Sequence, residues 1–76
     1  PIYVDGNVTI GADLVGIDTS DSLVYSSGNR LIATIGLQDM VVVDTDDVLL
    51  ICPKSRAQDI KQIIAELTKQ NKERYL

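Results

Sequence analysis

A chain of 76 residues holds one small domain, since domains usually run to ~100–150 residues. Its composition, 45% hydrophobic, 24% charged and 4% aromatic, is that of a folding chain rather than a disordered one. With no histidine it has no Ser-His-Asp or Cys-His machinery, one cysteine leaves too few soft ligands for zinc, and a net charge of −4 argues against a nucleic-acid partner.

The chain opens on Pro1-Ile2-Tyr3 without a charged and apolar leader, so a signal peptide is not expected, and Pro1 in place of Met suggests a piece of something longer. Residues 1–52 carry eighteen Val, Ile and Thr in short runs broken by Gly, Asp, Asn and Ser. β-Branched side chains fit a pleated surface, so these runs predict strands. In chain order they fall near Val8–Ile10, Leu14–Ile17, Leu23–Tyr25, Arg30–Ile35, Met40–Val43 and Val48–Ile51. The longest unbroken apolar run, Val48–Cys52, has five residues, and a bilayer needs ~18 or more, so no membrane partner is expected. The single Cys52 fits a reducing cytoplasm.

After Pro53 the period changes. Ser55-Arg56-Ala57-Gln58 has the form of a capping box, and Ala57, Ile60, Ile63, Ile64 and Leu67 recur at helical spacing. A helix is expected from about Arg56 to Lys72, with Asp59 near its start and Lys69, Lys72 and Arg74 near its end, as the helix dipole favours. Charge divides at the same place: residues 1–50 hold eight acids and one base, and residues 51–76 three acids and six bases. A basic helix packed on an acidic β layer accounts for this. Its stripe is too narrow and too poor in aromatics for membrane attachment.

The β half also resembles itself. Val15–Tyr25 lies over Val41–Ile51 at an offset of 26 residues, with Val, Asp, Thr, Asp and Leu recurring at Val15, Asp18, Thr19, Asp21 and Leu23. A repeat of this kind marks one supersecondary unit used twice. Three short strands per unit, each followed by a corner, describe coils that stack as a β-solenoid. Asp18 and Asp44 would shape the corners as Asx-turns. The alternative is an antiparallel meander with Ser27-Gly28-Asn29 as a hairpin loop. The expected core is Leu23, Tyr25, Leu31, Ile35, Val41, Val43, Leu49, Ile51, Ile60, Ile64 and Leu67. Two coils are fewer than the ~3 repeats that usually make a stable stack. One coil end is expected to lie under the helix and the other against a second surface.

Candidate chemistry is sparse. Asp44-Thr45-Asp46-Asp47, with Asp18 and Asp21, could attract Ca²⁺, but the spacing lacks the D-x-D-x-D-G pattern and the closing Glu of a calcium loop. Gly6, Gly11, Gly16, Gly28 and Gly36 form no phosphate-binding motif, and Tyr3, Tyr25 and Tyr75 are too few for a stacking platform. Ser26 and Ser27 have no histidine to activate them. Cys52, with Lys54 and Arg56 nearby, is read as a small buried filler rather than a reactive thiol. No catalytic, cofactor-binding or metal-ligating residue is therefore assigned.

Gly36-Leu37-Gln38-Asp39, the runs Met40–Thr45 and Leu49–Cys52, Asp47, and Arg56-Ala57-Gln58-Asp59 at the start of the helix together resemble the C-terminal region of bacterial mannose-1-phosphate guanylyltransferases. Upstream, Asp18-Thr19 and Leu23-Val24-Tyr25-Ser26 extend the resemblance to roughly residues 7–70. The resemblance implies a left-handed β-helix-like module, residues 1–52, followed by a capping helix in residues 53–76. It also implies a cytoplasmic parent enzyme that makes GDP-mannose from mannose 1-phosphate and GTP, with Mg²⁺ and nucleotide bound by an N-terminal catalytic domain. The family's glycine-rich signature belongs to that domain and is absent here. The expected role is packing, with the parent's own catalytic domain or a second copy of the chain (a homodimer) as partner. The rival is an independent module that binds a small ligand or cation at its Asp corners.

Overall fold

The computed structural model describes residues 2–28 and 30–70. Seven strands come in chain order: β1 (Ile2–Val4), β2 (Asn7–Ile10), β3 (Asp13–Ile17), β4 (Leu23–Ser26), β5 (Leu31–Ile35), β6 (Met40–Asp44) and β7 (Leu49–Pro53). A 3-10 turn (Lys54–Asp59) and helix α1 (Ile60–Lys69) follow. Each of the six expected strands forms within two residues of its expected bounds, and β1 is additional.

The strands build a five-stranded sheet, β1-β2-β4-β6-β7, and a two-stranded sheet, β3-β5. β2, β4 and β6 run parallel, as do β3 and β5, and Ser20 bridges Gln38 in the same sense. The chain thus visits the larger sheet, the smaller sheet and a bridged corner in turn, which is the path of a β-helix. The parallel register Leu23↔Val41 rules out the antiparallel meander. β1 and β7 are the exceptions: each turns back antiparallel on its neighbour, β2 and β6 respectively.

The stacking period differs from the one expected. Leu23 lies under Val41 and Asp13 under Leu31, both eighteen residues apart, whereas Val15 pairs with Ala33 rather than Val41. The two D-T-x-D segments do different work. Asp18-Thr19 turns a coil corner, while Thr45 begins the tight turn between β6 and β7. There the Thr45 N–H donates to the Val48 carbonyl at 2.9 Å, and Thr45 Oγ1 accepts the Val48 N–H at 3.2 Å. Asp44 is no Asx corner; it is the buried end of β6. The real corners repeat in backbone conformation: Asp18 (φ 52°) precedes Gly36 (φ 71°) by eighteen residues, and Asp21 (φ 53°) precedes Asp39 (φ 55°) by the same interval. Asp and Gly tolerate this left-handed region better than most residues.

The interior also differs from expectation. Its buried apolar residues are Val24 and Val42, joined by buried Asn7, Thr19, Ser22, Ser26 and Asp44, while Val41 is buried on the opposite face of β6. Of the expected core, Val41 is buried and Leu23, Val43, Ile60 and Leu67 are half-buried. Tyr25, Leu31, Ile35, Leu49, Ile51 and Ile64 are exposed. Eighteen residues wound around three sides leave a narrow interior. Val, Ser and Thr fill its larger-sheet side, in columns such as Thr9-Val24-Val42, Leu14 and Ile32 face it from the smaller sheet, and Leu23, Tyr25, Leu31 and Ile35 point outward.

The helical tail departs from the capping-box reading. Ser55 lies inside the 3-10 turn instead of ahead of it, and neither helical segment has a side-chain cap bond. The turn is tied instead by the Lys54 N–H to the Asp39 carbonyl at 2.8 Å, and by Arg56 to Asp59 at 2.8 Å. α1 ends at Lys69; Lys72 and Arg74 lie outside the described residues. The helix lies over the outer face of the last strands, where Ile60, Ile63, Ile64 and Leu67 share a groove of about 380 Å³ with Val43 and Leu50.

Candidate functional site

Polar groups inside the coil are bonded to one another. Asn7 donates from Nδ2 to the Thr19 carbonyl at 3.0 Å and accepts the Ser22 N–H at 2.9 Å. Ser22 Oγ donates to the Ser20 carbonyl at 3.0 Å and accepts the Met40 N–H at 3.2 Å, clasping one coil to the next. The Thr19 and Thr34 hydroxyls meet at 2.6 Å. Among the described residues no buried side-chain nitrogen or oxygen lacks a partner. A network this complete fixes coil geometry.

The acidic residues are dispersed by the true period. Asp18 and Asp21 stand exposed at coil corners, and Asp46 and Asp47 lie in the β6–β7 turn. Asp44 alone is buried: its Oδ2 accepts the Ser26 hydroxyl at 3.0 Å and pairs with Arg30 Nε at 3.1 Å. Among the described residues no three Cys, Asp or Glu side chains converge as metal ligands. Cys52 is half-buried beside Pro53, Arg56 and Ile60, and the nearby Arg56 is engaged by Asp59. Ser26 is spent on Asp44, and Ser27 lines the helix groove. Tyr25 is 37% exposed on the outer face, Tyr75 lies outside the described residues, and the side chain of Tyr3 is not among those described.

What the fold does assemble is an apolar exterior. In the two-stranded sheet Val15 pairs with Ala33, Ile17 with Ile35 and Asp13 with Leu31, and all six point outward. Exposures of 57% for Val15, 60% for Ile17, 61% for Leu31 and 81% for Ile35 make this a continuous apolar face. Apolar side chains gathered in one patch, unlike those scattered singly over a surface, call for an explanation. Sequence reasoning placed Leu31 and Ile35 inside. Size gives no signal here, since Ile32 faces the coil and Ala33 faces out; alternation alone sets Leu31, Ala33 and Ile35 on one side.

Stacked parallel strands, a bridged corner and a helix after the last strand define a β-helix domain. The family model for the MannoseP isomerase/GMP-like beta-helix domain matches residues 12–67, and the chain belongs to that family. It is similar to a putative mannose-1-phosphate guanylyltransferase of Vibrio cholerae, 39% identical over 71 residues that cover 93% of this chain and 15% of that protein. It is also similar to the alginate biosynthesis protein AlgA of Pseudomonas aeruginosa, 41% identical over 90% of this chain and 14% of that protein. A crystal structure described as mannose-1-phosphate geranyltransferase from Thermus thermophilus superposes with a TM-score of 0.73 at 31% identity, covering 82% of this chain and 18% of that one. The chain therefore spans about 15% of the length of the curated relatives it matches. No helix among the described residues is long and apolar enough to cross a membrane.

Proposed function

We propose that these residues form a non-catalytic packing module of a mannose-1-phosphate guanylyltransferase. Its outward apolar face would rest on the catalytic domain of the same polypeptide, or on a second copy of the chain. The parent would make GDP-mannose from GTP and mannose 1-phosphate in the cytoplasm, with Mg²⁺ and nucleotide held by residues outside this segment. The carrying observation is the exposed sheet of Val15, Ile17, Leu31 and Ile35 on a domain whose relatives are several times its length. Polar groups inside the coil are already paired, so binding capacity resides in the exterior rather than in a pocket.

Two measurements test the reading. The 76-residue chain incubated with GTP, mannose 1-phosphate and Mg²⁺ forms no GDP-mannose; turnover by the chain alone would refute a non-catalytic role. Calorimetric titration with Ca²⁺, GTP and GDP-mannose gives no tight binding. Micromolar affinity for any of them would instead favour a ligand-binding module.

A further inference from the structure

The two sheets end differently. After β5 the chain adds β6 and β7 to the larger sheet and nothing to the smaller one. β5 pairs with β3 on one side, and among the described residues its other edge meets no strand. A free edge presents a row of unpaired N–H and C=O groups, and proteins usually blunt such edges with charge, proline, a bulge or very short length. Leu31-Ile32-Ala33-Thr34-Ile35 has no charge and no proline, and it pairs with β3 in unbroken register over all five residues.

Beside this edge lies a mainly apolar groove of about 280 Å³ lined by Ile32, Val42, Leu49 and Ile51, with Arg30 and Asp44 also in its wall. Leu49 and Ile51 are on the inner side of the larger sheet, in register with buried Asp44 and Val42. They are nevertheless 56% and 54% exposed, because the smaller sheet supplies no strand opposite them. The other open end is more mixed: Asp5, Asn7, Thr9, Asp13 and Thr19 line that mouth together with Ala12 and Leu14. The β5 end combines an uncharged free ladder with a largely apolar floor.

We infer that β5 receives a further strand by main-chain pairing, supplied by polypeptide outside these 76 residues. This rests on the packing reading and specifies its contact. The edge dictates what the occupant is: an extended segment of about five residues, spanning ~17 Å, without proline at bonded positions. Its inward side chains are small or β-branched apolar ones that cover Leu49 and Ile51. The source follows from length, since the chain spans 15% of one relative and 18% of the matching crystal chain. A tethered strand also reaches the edge at high effective concentration, which a free partner lacks.

Hydrogen exchange read by mass spectrometry on the full-length polypeptide carrying these residues tests it. A strand paired on one side protects about every second amide; a strand paired on both sides protects them all. The expected result is slowing of all five β5 amides, by about 100-fold or more over the unstructured rate, independent of protein concentration. Protection of alternate amides alone overturns the inference. Full protection that appears only as concentration rises assigns the strand to a second copy and overturns the tethered source. Maleimide labelling of Ile17→Cys and Ile35→Cys in a Cys52→Ser background separates the two levels. If both thiols are shielded while alternate β5 amides exchange freely, packing stands and strand addition fails. If both label at the rate of an exposed thiol, the packing reading itself fails.

Discussion

Asp44→Ala removes a carboxylate whose side chain is 5% exposed and which serves two donors. One is Ser26 Oγ at 3.0 Å, in a residue only 2% exposed. A hydrogen bond to a charged acceptor contributes about 1.5–3 kcal/mol, and more is lost when the remaining donor stays buried without a partner. The other is Arg30, whose side chain is 62% exposed. Water screens that side of the pair, so its share falls in the ~0–1 kcal/mol range of surface ion pairs. Asp44→Ala should therefore cost about 2–4 kcal/mol, nearly all of it on the Ser26 side. A core this small rarely supplies more than ~3–5 kcal/mol in total, so the variant should sit at the edge of unfolding. Asp44→Asn keeps an acceptor for Ser26 and should lose about half as much, and Arg30→Ala no more than about 1 kcal/mol. Urea unfolding followed by circular dichroism measures each difference, and a Ser26→Ala, Asp44→Ala cycle isolates the pair. If Arg30→Ala destabilises as much as Asp44→Ala, the weight lies on the ion pair and the reasoning is wrong.

Three further outcomes follow from the coil. Val24→Ala, at a fully buried site, should cost about 2 kcal/mol, while Ile35→Ala at 81% exposure should change the isolated chain by less than ~0.5 kcal/mol; urea titration of both compares them. Gly36→Ala meets no atom within 4 Å and should show only the left-handed backbone cost, ~1–2 kcal/mol. Gly11→Ala shares that conformation but drives its Cβ into the Ser26 carbonyl oxygen, so its melting temperature should fall further. Sedimentation velocity of the isolated chain should show association that Ile17→Asp and Ile35→Asp suppress; a monomer at every concentration would weigh against a second copy as partner.

The strands and the helix were legible because local composition decides them: β-branched runs before Pro53 and a three-four apolar stripe after it. The stacking period was not. At the true offset of eighteen, residues 13–26 share only Ile17/Ile35, Asp21/Asp39 and Val24/Val42 with residues 31–44. Stacked positions in a coil need compatible size and backbone conformation rather than identity, so Asp18 can precede Gly36 and Ser26 can precede Asp44. The stronger offset of 26 reflects Asp-Thr serving two unlike turns. Nor could alternation settle which side faces in. Met40-Val41-Val42-Val43 is apolar on both faces, and choosing Leu23, Tyr25, Leu31 and Ile35 for the interior inverted β4, β5 and β6, whereas Leu49 and Ile51 of β7 do lie on the inner side. The bonds from Asn7 to Ser22 and from Ser26 to Asp44 depend on registers of fifteen and eighteen residues that no local motif announces.

That inversion bears on function. A strand with one solvated face alternates apolar and polar residues, whereas one covered on both faces reads as a continuous apolar run. β5, β6 and β7 read Leu-Ile-Ala-Thr-Ile, Met-Val-Val-Val-Asp and Leu-Leu-Ile-Cys-Pro. The outer face of β6 and β7 faces α1 across a groove lined by Val43 and Leu50. The outer face of β5 meets nothing among the described residues, yet carries Leu31 and Ile35 where the coil itself would accept Ser or Thr at no cost. Because the coil is held by Val24, Val42, Ser22 and Asp44, side chains facing the other way, substitutions on the outer face should alter association while leaving the fold intact. The interior and the outer face can then be varied independently, because successive side chains of a strand point to opposite sides.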